Sequence, residues 1–139
     1  MQKNQKLNAG PRVAGNGAVI DTSNLQTGGS TSAENLMPRA CAKLSLDTKV
    51  QLIAEECARV VTEHGIAAGR SPLSIAGAVI YFVSHLLGYP KSPKEIGVAV
   101  EVSDGTIRTA YKLMYQEKDI VIQQSWIGRG GDPSRLPAA

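Results

Sequence analysis

The sequence predicts an all-α domain of five helices, with a helix-turn-helix formed by the last two. Three observations predict it. Apolar residues recur at helical spacing between about residues 32 and 119, two Ser-Pro pairs stand where helices would open, and one central segment is apolar nearly all round. Only 4% of the 139 residues are aromatic against 42% hydrophobic, so the core must be built from Ala, Val, Ile and Leu. Small aliphatic cores of that kind suit closely packed helices. The length suffices for one domain with a real core and some flexible chain besides.

Met1 to about Ser30 is rich in Gly, Asn, Ser and Thr and has no sustained apolar period. Gly15-Asn16-Gly17 and Gly28-Gly29-Ser30 are turn or linker chemistry, and Ala18-Val19-Ile20 is the one apolar cluster there. A flexible lead-in is expected over residues 1–31. Thr31-Ser32-Ala33-Glu34 then has a capping-box pattern. Pro38 complicates this first helix, because proline is tolerated only in a first turn. The helix either opens at Thr31 or starts near Met37 and runs to Leu44.

The second helix opens near Ser45 or Asp47. Val50, Ile53, Ala54, Cys57, Val60 and Val61 form its apolar stripe, Lys49, Glu55, Glu56 and Arg59 face outward, and Gly65 ends it. Ile66 to Arg70 is a short connection. Ser71-Pro72 starts the third helix, with Ser as cap and Pro at the first helical position. Its run Leu73 to Val83 is apolar on almost every side yet too short to cross a bilayer, so it belongs at the centre of the bundle. Ser92-Pro93-Lys94-Glu95 repeats the Ser-Pro start and adds a capping Glu. That short fourth helix carries Ile96, Ala99 and Val100. A turn at Glu101-Val102 leads to Ser103, which caps a fifth helix bearing Ile107, Ala110, Tyr111 and Met114. Two helices joined by so tight a turn read as a helix-turn-helix. From Ile120 onward a loosely structured tail is expected, with Trp126 and Leu136 as the residues able to dock.

Catalytic and metal chemistry find little support. Cys41 and Cys57 do not form a CxxC pair, and His64 and His85 fall on different helices, whereas a zinc site needs about four convergent ligands. Two cysteines are too few for a secreted disulfide scaffold and read as reduced thiols. Cys57 lies on the apolar stripe, where a thiol pKa rises instead of falling. Gly65 to Ser71 is bracketed by glycines but lacks the lysine and preceding strand of a phosphate-binding loop. Glu55 and Glu56 are adjacent and point different ways on a helix. No enzyme, cofactor or metal is expected.

The net charge of +3 permits nucleic-acid binding without demanding it. Lys91, Lys94, Arg108 and Lys112 surround the helix-turn-helix, and Arg108 and Lys112, four apart, share one face of the last helix. Thr106 and Arg108 lie near its start, where a recognition helix meets base edges and its free N–H groups favour phosphate. Arg suits a bidentate contact with guanine, and Lys suits phosphate. Glu95, Glu101, Asp104 and Glu117 dilute that positive field. The same geometry also serves helical proteins that bind only protein, so the residues alone leave both readings open.

The run Gly69-Arg70-Ser71-Pro72-Leu73-Ser74-Ile75-Ala76-Gly77-Ala78-Val79-Ile80-Tyr81 resembles the third helix of the second cyclin repeat in the transcription factor IIB family. Lys94-Glu95-Ile96-Gly97, Val102-Ser103-Asp104-Gly105-Thr106-Ile107-Arg108 and Tyr111-Lys112-Leu113-Met114-Tyr115 are similar to its next two helices in order and spacing. Leu36-Met37-Pro38-Arg39-Ala40-Cys41 resembles the first helix of that repeat, and Asp132-Pro133-Ser134-Arg135-Leu136-Pro137 its C-terminal end. The long lead-in resembles the inter-repeat linker of fungal members.

The resemblance implies the C-terminal part of a longer protein: a flexible inter-repeat linker at 1–31, a five-helix cyclin-like repeat at 32–119 and a C-terminal tail at 120–139. It implies a nuclear, monomeric module of a general initiation factor, whose partners are the TATA-binding protein, promoter DNA upstream of the TATA box, and RNA polymerase II. On that carry-over Thr106, Arg108 and Lys112 face the upstream element, and Arg70 and Lys94 touch nearby backbone. Family members that read this element by sequence carry Val where this chain has Gly105, which implies reduced sequence preference here. A cyclin-like module that binds only protein is the alternative, and a related factor of another polymerase system or of archaea is a second.

Overall fold

The computed structural model describes residues 32–139, which hold seven α-helices and one 3₁₀ turn. The lead-in expected over 1–31, with Ala18-Val19-Ile20 and the Thr31 half of the first capping box, lies outside the described residues.

Helix α1 (Ala33–Lys43) is capped by Ser32, whose hydroxyl accepts from the Asn35 N–H at 3.3 Å. Pro38 stands inside it, so the start near Met37 is corrected. A proline there deprives the Glu34 carbonyl of its usual donor, at a cost of about 3 kcal/mol in a helix interior. Burial of Ala33, Met37, Ala40 and Cys41 on the inner side offsets that cost. Asp47 caps α2 (Thr48–Glu63), which buries Val50, Ile53, Ala54, Cys57, Ala58 and Val61. Val60 is only half-buried. Gly65, at φ +66°, takes the left-handed conformation that ends the helix.

Ser71 caps α3 (Pro72–Leu86), the hub of the bundle. It packs against α1, α2, α4 (Pro93–Val100) and α5 (Asp104–Gln116). Ala76 through Ser84 are all buried. Four of the six aromatic residues, Tyr81, Phe82, Tyr111 and Tyr115, gather where α3 meets α5: the Tyr81 and Tyr111 rings stand 4.7 Å apart, edge to face, and Phe82 lies 6.1 Å from Tyr111. The capping box of α4 is present in both directions, Ser92 Oγ accepting from Glu95 N and Ser92 N donating to Glu95 Oε1, each at 3.1 Å.

The expected loose structure beyond Ile120 is not what the chain forms. Two short helices, α6 (Lys118–Val121) and α7 (Gln124–Gly128), and the 3₁₀ turn Pro133–Arg135 fold back on the bundle. Trp126 is fully buried, and its indole N–H donates to Glu56 Oε1 at 2.9 Å. The Arg129 guanidinium donates to both oxygens of the same carboxylate at 2.9 Å. Partial desolvation pushes the Glu56 pKa up, but these hydrogen bonds outweigh it and hold the group below its ordinary value. Further along, Asp132 N and Arg135 Nη1 both donate to the Leu86 carbonyl, at 2.9 and 3.0 Å, satisfying an open acceptor at the end of α3.

Candidate nucleic-acid interface

Helices α4 and α5 are set by glycine at two contacts. A Cβ on Gly97 would stand 2.6 Å from the Val102 carbonyl oxygen, and one on Gly77 of α3 would stand 2.9 Å from Ile107 Cγ1. The first lets the turn close, with Glu101 N and Val102 N both donating to the Gly97 carbonyl. The second lets α5 lie directly on the hub. Glu101 takes φ +63° to reverse the chain between the helices.

Ser103 then caps α5, its hydroxyl accepting from Thr106 N at 3.1 Å. Ile107, Ala110, Tyr111 and Met114 are buried, which fixes the roll of the helix and leaves Gly105, Arg108, Thr109 and Lys112 exposed. Arg108 pairs with Asp104 at 3.1 Å, but both side chains are about half exposed (58% and 46%). Such an (i, i+4) surface pair contributes only about 0.3–0.5 kcal/mol and does not tie the guanidinium down.

The five residues singled out from sequence are thus distributed as follows. Arg108 and Lys112 line one shallow depression together with Tyr81, Thr109, Tyr111, Ala138 and Ala139. Thr106, near the start of the same helix, is half-buried with its hydroxyl 2.7 Å from that of Ser103. Lys94 is exposed in the first turn of α4, and Arg70 is exposed in the loop before α3. Neither lines the depression of Arg108 and Lys112.

Sequence reasoning missed two features of this surface. The segment around Pro137 lies alongside α5, where the Tyr111 hydroxyl donates to the Pro137 carbonyl at 2.6 Å. Its sequence signals were Leu136 as a residue able to dock and the likeness of Asp132-Pro133-Ser134-Arg135-Leu136-Pro137 to the C-terminal end of the family's repeat. Arg39 and Lys43 form the second feature: with Leu36, Leu73, Ala99 and Val100 they line a cleft between α1, α3 and α4. Their (i, i+4) spacing on α1 was the signal available. The thiols offer no nucleophile at this surface, since burial pushes Cys41 up to about 11 and Cys57 further still.

Packed helices around an apolar third one, closing in a helix-turn-helix, make this a cyclin-like all-helical domain. Residues 27–117 match the family model described as the transcription factor TFIIB repeat, and the chain belongs to that family. It is 53% identical over 110 residues to transcription initiation factor IIB of Schizosaccharomyces pombe, covering 78% of this chain and 32% of that protein. It is 46% identical over 81 residues to the Drosophila melanogaster factor of the same name, covering 58% and 26%. To that of Saccharomyces cerevisiae it is 34% identical over 113 residues, covering 80% and 31%. The chain thus spans between about a quarter and a third of the length of the curated relatives it matches.

Proposed function

We propose that this chain is the C-terminal cyclin-like repeat of a general transcription initiation factor. It joins the TATA-binding protein on promoter DNA, contacts the DNA upstream of the TATA box, and helps recruit RNA polymerase II. It works in the nucleus as one half of a paired-repeat core and catalyses no reaction. The observation that carries this reading is the start of α5: Arg108 and Lys112 stand on the surface of a helix whose other face is locked into the core. Helix-turn-helix proteins present that end of the second helix to a DNA groove. Thr106, Arg108 and Lys112 face the upstream element in this arrangement. Arg70 and Lys94 meet the phosphate backbone beside it.

Arg108→Ala should weaken the assembly with TATA-binding protein and promoter DNA. If the lost contact is to phosphate, the slope of log affinity against log salt flattens by about one unit. A gel shift with TATA-binding protein and a promoter fragment across a salt series measures both. Unchanged affinity and slope would remove Arg108 from the interface.

Gly105 bears on how the upstream element is read. The added Cβ would meet nothing within 4 Å, so the position is open to the solvent side. Without a side chain there, one apolar contact to a base edge is missing and binding is mostly directed at the backbone. Scrambling the upstream base pairs should cost less than about tenfold in affinity, or 1.4 kcal/mol. Gly105→Val should restore discrimination without disturbing the fold. A larger loss for the unsubstituted chain would sink the backbone-directed reading.

A second reading, a module that binds only protein, is supported by the cleft lined by Leu36, Leu73 and Ala99 and by Val98, which is 79% exposed beside it. It predicts no salt-dependent DNA binding, and the same gel shift separates the two.

A further inference from the structure

Only two serines in the sequence precede proline, Ser71 and Ser92, and no threonine does. A residue before proline is held extended, and proline offers no N–H after it. That pairing is the feature by which proline-directed protein kinases select their acceptor. Both are exposed helix caps with the same extended backbone, and they differ in the partner of the hydroxyl and in the chain that precedes them. The Ser71 hydroxyl is 2.9 Å from that of Ser74, which is buried, and the chain before it is folded tightly through Ala67 and Gly69 at positive φ. Ser92 is exposed, at φ −74° and ψ 155°, and residues 89–92 have no regular structure. Its hydroxyl oxygen accepts from Glu95 N, and its O–H donates to no protein group among the described residues.

The surroundings of Ser92 also suit a phosphate. Lys91 and Lys94 flank it, and neither is in an ion pair among the described residues. Of the N–H groups in the first turn of α4 only that of Lys94 is open, since Ser92 N and Glu95 N are taken by the capping box, Ile96 N by the Ser92 carbonyl, and Pro93 has none. One carboxylate opposes this, that of Glu95, which accepts from Ser92 N and would be displaced by like charge.

We infer that Ser92 is the phosphoacceptor through which a proline-directed kinase weakens the DNA contact of α4. In the transfer, Ser92 Oγ bonds to the γ-phosphorus of ATP, the bridging oxygen leaves with ADP, and the hydroxyl proton passes to the kinase's base. The acceptor already lies outside the helix, and α4 has only eight residues, so opening its first turn for the kinase disrupts little regular structure. The product carries about −1.5 to −2 charges at pH 7. It pairs with Lys91 and Lys94, takes Lys94 away from DNA phosphate and repels the backbone. The consequence for DNA rests on the reading given under Proposed function.

The test treats the whole chain with a proline-directed kinase and ATP, maps phosphate by mass spectrometry, and measures assembly with TATA-binding protein and promoter DNA before and after. Ser92→Asn keeps an oxygen for the helix cap but cannot accept phosphate. The expected result is phosphate on Ser92, a loss of affinity on the order of tenfold, a salt slope flatter by about one unit, and no response in Ser92→Asn. Phosphate elsewhere but not on Ser92 overturns the inference, as does full modification of Ser92 with affinity and slope unchanged. If the untreated chain shows no salt-dependent DNA binding, the DNA reading itself fails, while the phosphate map still decides whether Ser92 is the acceptor.

Discussion

Trp126→Ala should destabilise the domain by about 4 kcal/mol, in the range of large-to-small substitutions at fully buried aromatic sites. For a domain of this size that lowers the midpoint of thermal unfolding by roughly 15 °C. The indole is fully enclosed and is the largest of the buried side chains. Its removal leaves a cavity between α2 and the C-terminal segment, and also strips one hydrogen bond from Glu56. Arg129 still holds that carboxylate, so no buried charge is orphaned and the loss is chiefly one of packing. Trp126→Phe should cost about 1–2 kcal/mol, because it keeps most of the ring and loses the N–H donor. Thermal and denaturant unfolding followed by circular dichroism measures both. A change below about 0.5 kcal/mol for Trp126→Ala, the size of an ordinary surface substitution, would mean that residues beyond Ile120 are not part of the folded unit.

That tail marks the limit of what was legible in the chain. Helices α2 to α5 were readable because capping residues and apolar spacing agreed at each end: Asp47 or Ser45 before Val50, Ser71-Pro72, Ser92-Pro93 with Glu95, and Ser103. The fold class followed from them. Helix α1 was half legible, since Pro38 argued for a later start and only packing of Met37, Ala40 and Cys41 overrides that local preference. The tail was illegible because its order comes from partners far off in sequence. Glu56 is 70 residues from Trp126, and Leu86 is 49 from Arg135. The short helices α6 and α7 have too few residues to show a period. For the interface, sequence gave the shared face of Arg108 and Lys112. It did not reveal that Thr106 is half-buried, that Arg39 and Lys43 line a separate cleft, or that the Pro137 segment lies alongside α5.

Two glycines of the same motif should respond to alanine in opposite directions. Gly97→Ala should destabilise by about 3 kcal/mol, although Gly→Ala in a helix ordinarily gains up to about 1 kcal/mol. The reason is geometric. The new methyl would stand 2.6 Å from the Val102 carbonyl oxygen, a backbone atom that cannot swing aside. Relief requires the turn to open, which breaks the bonds from Glu101 N and Val102 N to the Gly97 carbonyl and shifts the start of α5. At Gly105 the added methyl meets nothing within 4 Å, so Gly105→Ala should be neutral or gain up to about 1 kcal/mol by restricting the unfolded chain. The contrast separates backbone crowding from helix propensity, which would favour alanine at both sites. It also reaches function. If α5 is the element that meets DNA, Gly97→Ala should lose promoter binding at temperatures where the chain remains folded, because Arg108 and Lys112 move with the helix start. Unfolding curves and gel shifts on the two variants decide it, and a Gly97→Ala chain as stable as the parent would show that the turn is not held closed by that contact.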